Sequence, residues 1–350
     1  RLEYLIGPRF NQKGWDVGGL IRIENIFDQY VNLSLYRKID RYGSRHLAGI
    51  ERFFASPLID YAGGINFYWQ DMDRQVIGQD TVIWENQQYN LQEYWFGYGT
   101  TLFNKYEFQN EYYVSLAFKS FDYNHQPGEM LGNIYQDNQR YLLKAGYAFR
   151  KFHKTRFVMG LGRNEDIPVG SLLAFTAGWV DGQRRDQWYT GLDIGYSVFS
   201  RKLGYFSLIG KAGTYLFNQE THQTAMEINL LYFTNLLKVG NYRIRHFLRM
   251  SGYYVQDPRL LTNMVNIDQK EGIRGFNANL YGNKKIVLNY EVNLFPPLKW
   301  LGFNFAGVGF ADFGLLSREG KRIWNGQLFR GYGLGLRVRN ENLIFQSIQL

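Results

Sequence analysis

The sequence predicts an all-β fold: a transmembrane antiparallel β-barrel of about sixteen strands, apolar outside and polar in its lumen. Three observations predict it. Long segments alternate apolar and polar residues with period two, the pattern of strands and not of helices. Aromatic residues gather near segment ends, as in NFYWQ (66–70), EYWFGYG (93–99) and LKWLGF (298–303), where a membrane barrel carries its interfacial girdles. The connections differ in length, tight at 181–186 and 217–221 and long at 71–88, 122–138 and 256–284. Short turns alternating with long loops is the expectation for such a barrel.

Composition agrees. The 38 Gly, with 27 Tyr, 27 Phe and 8 Trp, favour strands joined by tight turns. Mean hydropathy is negative, and no apolar run approaches the roughly 20 residues of a spanning helix. A barrel stays open, because a barrel strand crosses with roughly 9–11 residues of which half are polar. The lack of Cys fits a bacterial cell-envelope protein. The net charge of +9 raises nucleic acid or anionic lipid as partners. The basic residues are spread along alternating segments without a run or a recognition motif, which argues against nucleic acid. The chain opens at Arg1 with no leader pattern, so a signal peptide is expected only upstream of it.

In chain order, strands are expected at 17–27, 29–39, 45–55, 60–71, 89–103, 108–123, 139–151, 168–181, 186–200, 202–217, 221–234, 238–255, 284–297, 300–314, 324–339 and 342–350. Residues 1–10 would add one more. Two-sidedness is plain in 111–119, where Tyr112, Val114, Leu116 and Phe118 oppose Glu111, Ser115 and Lys119. In 139–150, Tyr141, Leu143, Ala145, Tyr147 and Phe149 oppose Arg140, Lys144 and Arg150. In 224–233, Met226, Ile228, Leu230 and Tyr232 oppose Glu227 and Asn229. In 241–251, Tyr242, Ile244, Leu248 and Met250 oppose a basic row, Arg243, Arg245 and Arg249. In 285–294, Ile286, Leu288, Tyr290, Val292 and Leu294 oppose Lys285, Asn289, Glu291 and Asn293. A soluble sandwich would turn these apolar faces inward. Segments of about 10–14 residues exceed the usual 5–6 of globular strands and favour the membrane. NLIFQSIQL (342–350) reads as a strand still running, so the barrel is expected to continue past Leu350. Neither a linker nor a domain boundary is visible, and 1–350 is expected to form a single barrel domain.

One cation stands out, in EGIRGFNANLYGNKK (271–285). Arg274 lies in a glycine-rich connection between two strands. In a polar lumen such a loop can fold back and pair its guanidinium with carboxylates. Glu291 and Asp312 lie on the inward parity of the following strands. The plainer readings are a solvated loop arginine and generic lumen polarity. The basic row is an anion-attracting wall or simply a solvated lumen face. The aromatic clusters bind sugar or anchor the barrel at the interface.

IRGF, followed by a strand containing NYEVNLF and another containing FADFG, resembles the BamA/TamA superfamily of outer-membrane assembly and translocation proteins, the bacterial surface antigen barrels that carry POTRA domains. The likeness is strongest over 270–350, including GYGLGLRVRNENLIFQSIQL (331–350). It extends more loosely to GRNEDIPVGSLLAFTAGW (162–179), in the manner of Bacteroidetes members. The resemblance implies that Arg274, Gly275 and Phe276 form a loop motif entering the lumen, with Glu291 and Asp312 as the acidic partners of the arginine. It also implies the bacterial outer membrane as the location. Unfolded outer-membrane or secreted polypeptides are implied as clients, with accessory lipoproteins as partners and outer-membrane lipid, lipopolysaccharide included, as surroundings. The expected strand number ahead of the loop exceeds the family pattern by one or two, which would be met if some hairpins were single kinked strands. The POTRA domains and the closing strand of the family are not in this sequence.

Signals for an enzyme are poor. His46, His125, His153, His222 and His246 have no metal-ligand spacing. Ser200 lacks a nucleophile elbow. GYGLG (331–335) sits in a strand with no helix after it. No Ser/His/Asn grouping suggests a barrel phospholipase. Neither a cofactor nor a metal is implied. The expected function is non-enzymatic assembly, insertion or translocation of polypeptides. The alternatives are a secretion pore or passive channel, and an anchor for a fused upstream domain.

Overall fold

The structure, a computed structural model, describes residues 2–11, 14–54, 59–77, 82–101, 109–124, 136–158, 161–162, 164–183, 185–218, 220–256, 265–267, 271–276, 280–318, 320–340 and 348–349. Strands dominate it. In order they are β1 Leu2–Asn11, β2 Gly14–Ile26, β3 Val31–Asp40, β4 Gly43–Arg52, β5 Tyr61–Ile77, β6 Val82–Thr100, β7 Gln109–Tyr123, β8 Asn138–Arg156, β9 Asn164–Gly182, β10 Gln187–Ser200, β11 Gly204–Phe217, β12 Glu220–Phe233, β13 Leu237–Val239, β14 Tyr242–Val255, β15 Val265–Asn266, β16 Tyr281–Gly282, β17 Lys284–Phe295, β18 Lys299–Trp300, β19 Phe303–Ser317, β20 Gln327–Asn340 and β21 Ile348–Gln349. Each long strand pairs antiparallel with its sequence neighbours in one sheet, while β15 and β16 form a separate ribbon. Residues 1–10 do contribute a strand, β1, paired along its length with β2. The expected strand at 342–350 is described only at 348–349, where it pairs with β20; its other residues lie outside the described set.

The faces follow the sequence. Tyr112, Val114, Leu116, Tyr141, Leu143, Met226, Ile228, Met250 and Leu288 are exposed on the outer face. Asn66, Arg245, Lys285, Asn293 and Asp312 are buried on the inner one. The sheet curls toward its polar face. Lys144 on β8 reaches Asp193 on β10 at 2.5 Å, and Arg140 on β8 reaches the Tyr215 hydroxyl on β11 at 3.3 Å. Strands lie about 4.8 Å apart, so side chains two or three strands apart meet only on a concave side. Exposed apolar residues outside and charged pairs inside are the inverse of a soluble core.

Two expectations need correction. Connection length does not alternate between the two ends of the sheet. The tight turns after β9 and β11 lie at the same end as the long connections after β7 and β14. Most of 71–88 is strand, belonging to β5 and β6, which leaves only 78–81 between them. The end holding the Arg274 connection is called here the loop end, and the other the turn end. The hairpins ahead of Arg274 are also not kinked single strands: each is two separately paired strands.

The longest strands, β6, β8 and β9, have 19 residues each. At ~3.3 Å per residue they run about 60 Å, twice a hydrocarbon core, so they project past the membrane. At the turn end, β7 pairs β8 only as far as Arg150. The hairpin 151–169 continues alone and bends inward. Gly170, at φ +152°, is where it turns, and a Cβ there would lie 1.9 Å from the Phe149 carbonyl oxygen. At its tip Phe157 and Leu161 pack with Phe295 of β17 and Ala306 of β19. Phe157 and Phe295 ring centroids are 4.9 Å apart.

Candidate functional site

The site is built from the connection 256–283 and the inner faces of β17, β19 and β20. The ribbon β15–β16 starts and ends the fold-back. The Ile273 amide then donates to the Ile267 carbonyl at 3.0 Å, turning the chain into the lumen. Apolar residues seat it. Val265, Ile267 and Ile273 are buried together with Val287, Leu316 and Phe329 of the wall. Each fully buried side chain of this kind stabilises by about 1.5–3 kcal/mol. Phe276 meets Phe329 edge to face at 5.1 Å.

The wall is shaped to receive this segment. Asp312 on β19 faces Gly331 on β20 in register. A Cβ at Gly331 would lie 2.7 Å from Ile273 Cγ2 and 3.3 Å from the Arg274 carbonyl oxygen. A missing side chain beside the carboxylate therefore makes room for the loop backbone. Gly275 has φ +75°, a conformation that glycine adopts without penalty.

Arg274 is held from several directions. Its backbone N–H and its Nε both donate to Asp312 Oδ2 at 2.9 Å. Its Nη2 donates to Asp312 Oδ1 at 2.8 Å, completing a bidentate fork. Its Nη1 donates to Glu291 Oε2 at 2.6 Å. The guanidinium lies 3.9 Å over the Phe310 ring. Asp312 is fully buried, and the arginine side chain is 33% exposed. A buried carboxylate needs such pairing, because desolvating it alone costs far more than a hydrogen bond returns.

Sequence reasoning placed Arg274, Gly275, Phe276, Glu291 and Asp312 together, and the structure brings all five to one site. It missed three neighbours. Arg337 on β20 donates to Glu291 Oε1 at 3.0 Å, so the cluster holds two cations and two anions. Asn289 donates to the Gly272 carbonyl at 3.0 Å, bracing the loop backbone. Lys285 donates to the Asn266 carbonyl at 3.0 Å. Each sits on the inward parity of its strand, which marks a lumen residue without telling what it meets.

The basic row separates. Arg243 and Arg249 are exposed, whereas Arg245 is buried. Arg245 lies 5.1 Å over the Phe233 ring and Arg243 4.9 Å over Phe157, at the tip of the inward hairpin. The histidines are scattered. His46 contacts Ser44, His153 stacks on Phe199, His222 lies beside Phe217 and His246 bonds Tyr290; His125 lies outside the described residues. Among the described residues no group of His, Asp and Glu is placed to hold a metal ion.

No family model matches the chain, and no curated protein matches it in sequence. Solved structures do. BamA from Haemophilus ducreyi lacking POTRA domains 1–3 aligns over 100% of this chain and 66% of its own, at 10% identity and a TM-score of 0.51. The chain has the fold of the BamA barrel. CdiB from Acinetobacter baumannii aligns over 95% of this chain and 65% of its own (10% identity, TM-score 0.42). CdiB from Escherichia coli aligns over 99% and 62% (10% identity, TM-score 0.45). The chain thus spans a little under two thirds of the length of these structures. The BamA fold and the apolar outer face together place this barrel in a bacterial outer membrane. On the BamA-type barrel the Arg274 connection enters the lumen from the end that carries the two longest connections.

Proposed function

We propose that this barrel is a non-enzymatic insertase or translocase of the outer membrane, with the Arg274 segment as a lock between its longest connection and strands β17, β19 and β20. The observation that carries the reading is the double engagement of Asp312 by the backbone and the guanidinium of Arg274. A surface arginine has no need of a fully buried carboxylate and a glycine-cleared seat. A lock that orders 256–283 against β17, β19 and β20 holds these three strands in register. A client strand would then pair with an edge strand by β-augmentation, using its unpaired N–H and C=O groups. Local bilayer thinning lowers the cost of inserting polar backbone. Neither ATP nor a metal enters this mechanism. Unfolded outer-membrane or secreted polypeptides are the proposed clients, and accessory lipoproteins the proposed partners.

A secretion pore or passive channel is the second reading, favoured by the exposed Arg243 and Arg249 on the lumen wall. The full-length protein in liposomes separates the two. Faster folding of an added urea-unfolded barrel, with little steady conductance in a planar bilayer, supports the insertase. Steady anion-selective conductance without faster folding overturns it in favour of the pore.

A further inference from the structure

The outer face carries a hollow that this function does not use. The strand registers set it out in three rows. Nearest the loop end, Leu192, Ala212, Met226, Tyr254 and Lys284 lie side by side across β10, β11, β12, β14 and β17. One row further, Ile194, Gly210, Ile228, Gly252 and Ile286 follow, glycine alternating with isoleucine. The next row is Tyr196, Leu208, Leu230, Met250 and Leu288, large throughout. Ala212 in the first row and the glycines Gly210 and Gly252 in the second, above a full third row, leave a depression. It measures about 460 Å³ and is walled almost entirely by apolar atoms, with Ile323 closing its top. It is an open groove in a surface that faces lipid tails.

Its upper rim is cationic. Lys284 Nζ donates to the Lys321 carbonyl at 3.0 Å and lies 5.8 Å from the Tyr254 ring centroid. That bond uses one of its three N–H groups. Lys321 and Arg322 are exposed in the connection between β19 and β20, and Trp324 beside them is 73% exposed. Trp at that position marks the depth where tails give way to head groups. The two longest connections, 124–137 and 256–283, share this end, and the longest loops of outer-membrane barrels lie outside, so the rim faces the outer leaflet.

We propose that this groove binds a phosphorylated lipid of the outer leaflet, its acyl chain in the hollow and its phosphate on Lys284, Lys321 and Arg322. Charge complementarity decides the occupant. An uncharged tail would fill the hollow but leave the cations idle, and a soluble anion would leave the hollow unfilled. The site is independent of the Arg274 lock, which lies on the opposite face of the same wall.

The test titrates the full-length protein in detergent with bis-phosphorylated lipid A, and separately with the same lipid stripped of phosphate. Bound lipid is counted by native mass spectrometry. The phosphorylated lipid is expected to bind roughly tenfold to a hundredfold more tightly, at about 1 kcal/mol per basic residue near a lipid surface. The triple variant Lys284→Ala/Lys321→Ala/Arg322→Ala should lose that preference. Ala212→Phe, which fills the hollow, should weaken both lipids alike. Heat-modifiable gel mobility checks that each variant is folded. Equal binding of the two lipids, or unaltered binding by Ala212→Phe, overturns the site. Displacement by millimolar inorganic phosphate also overturns it, reassigning the cations to a soluble anion.

Discussion

Arg274 and Asp312 are joined by three hydrogen bonds of 2.8 to 2.9 Å, one of them from the arginine's own backbone. That backbone bond fixes where the loop sits, and the fork fixes how its side chain points. Removing either partner leaves a buried or half-buried charge without its mate, a loss of about 3–5 kcal/mol for enclosed pairs. Arg274→Ala and Asp312→Ala should each lower the temperature at which the barrel loses its fast gel mobility. Each should also expose 256–283 to protease. The double variant should cost clearly less than the sum of the two. Additive effects would mean that the two residues act separately.

Arg337 makes a weaker claim on the same cluster. It pairs with Glu291 at 3.0 Å, and both side chains keep access to solvent, at 22% and 17% exposure. Arg337→Ala should therefore cost about 1 kcal/mol or less, read from the same melting shift. A loss equal to that of Arg274→Ala would move the centre of the cluster to Glu291.

Gly331 and Gly275 should respond differently to alanine. At Gly275 nothing lies within 4 Å of a new Cβ, so the cost is the positive φ alone, about 1 kcal/mol. At Gly331 the methyl would meet Ile273 and displace the loop from Asp312. Gly331→Ala should open 256–283 to protease while Gly275→Ala barely changes it. Comparable digestion of the two would show that the loop does not sit against β20.

The strands and their faces were legible because period-two alternation survives wherever one side meets lipid and the other water. The same logic explains the failures. Much of 71–88 was read as a connection because strands that project beyond the bilayer are polar on both faces, and alternation fades there. The expected strands stop at 151 and resume at 168, whereas β8 runs on to Arg156 and β9 begins at Asn164, because the polar run Asn164, Glu165, Asp166 shows no apolar alternation. Arg274 could be found because a bulky cation in a glycine-rich connection is locally odd, and Glu291 and Asp312 because they share the inward parity and match the acidic partners that the family resemblance implies. Arg337 and Asn289 could not, since an inward polar residue on a barrel strand is ordinary until the fold shows what lies opposite.

The inward hairpin should limit the lumen at the turn end. Leu161 is buried against Phe295 and Ala306, in a pocket that Arg243 and Lys299 also line, so a cation there is desolvated beside like charge. Leu161→Lys should expel the tip and raise planar-bilayer conductance several-fold without lowering the melting temperature of the barrel. Unaltered conductance would mean that the hairpin does not obstruct the lumen.

The most direct measurement follows the folding rate of a urea-unfolded outer-membrane barrel in liposomes holding the full-length protein, its Arg274→Ala variant or its Arg274→Lys variant. The native protein should accelerate folding. Arg274→Ala should abolish the acceleration, and Arg274→Lys, which keeps the charge but not the fork, should restore only part of it. Equal acceleration by all three would contradict a role for the Arg274 lock in insertion.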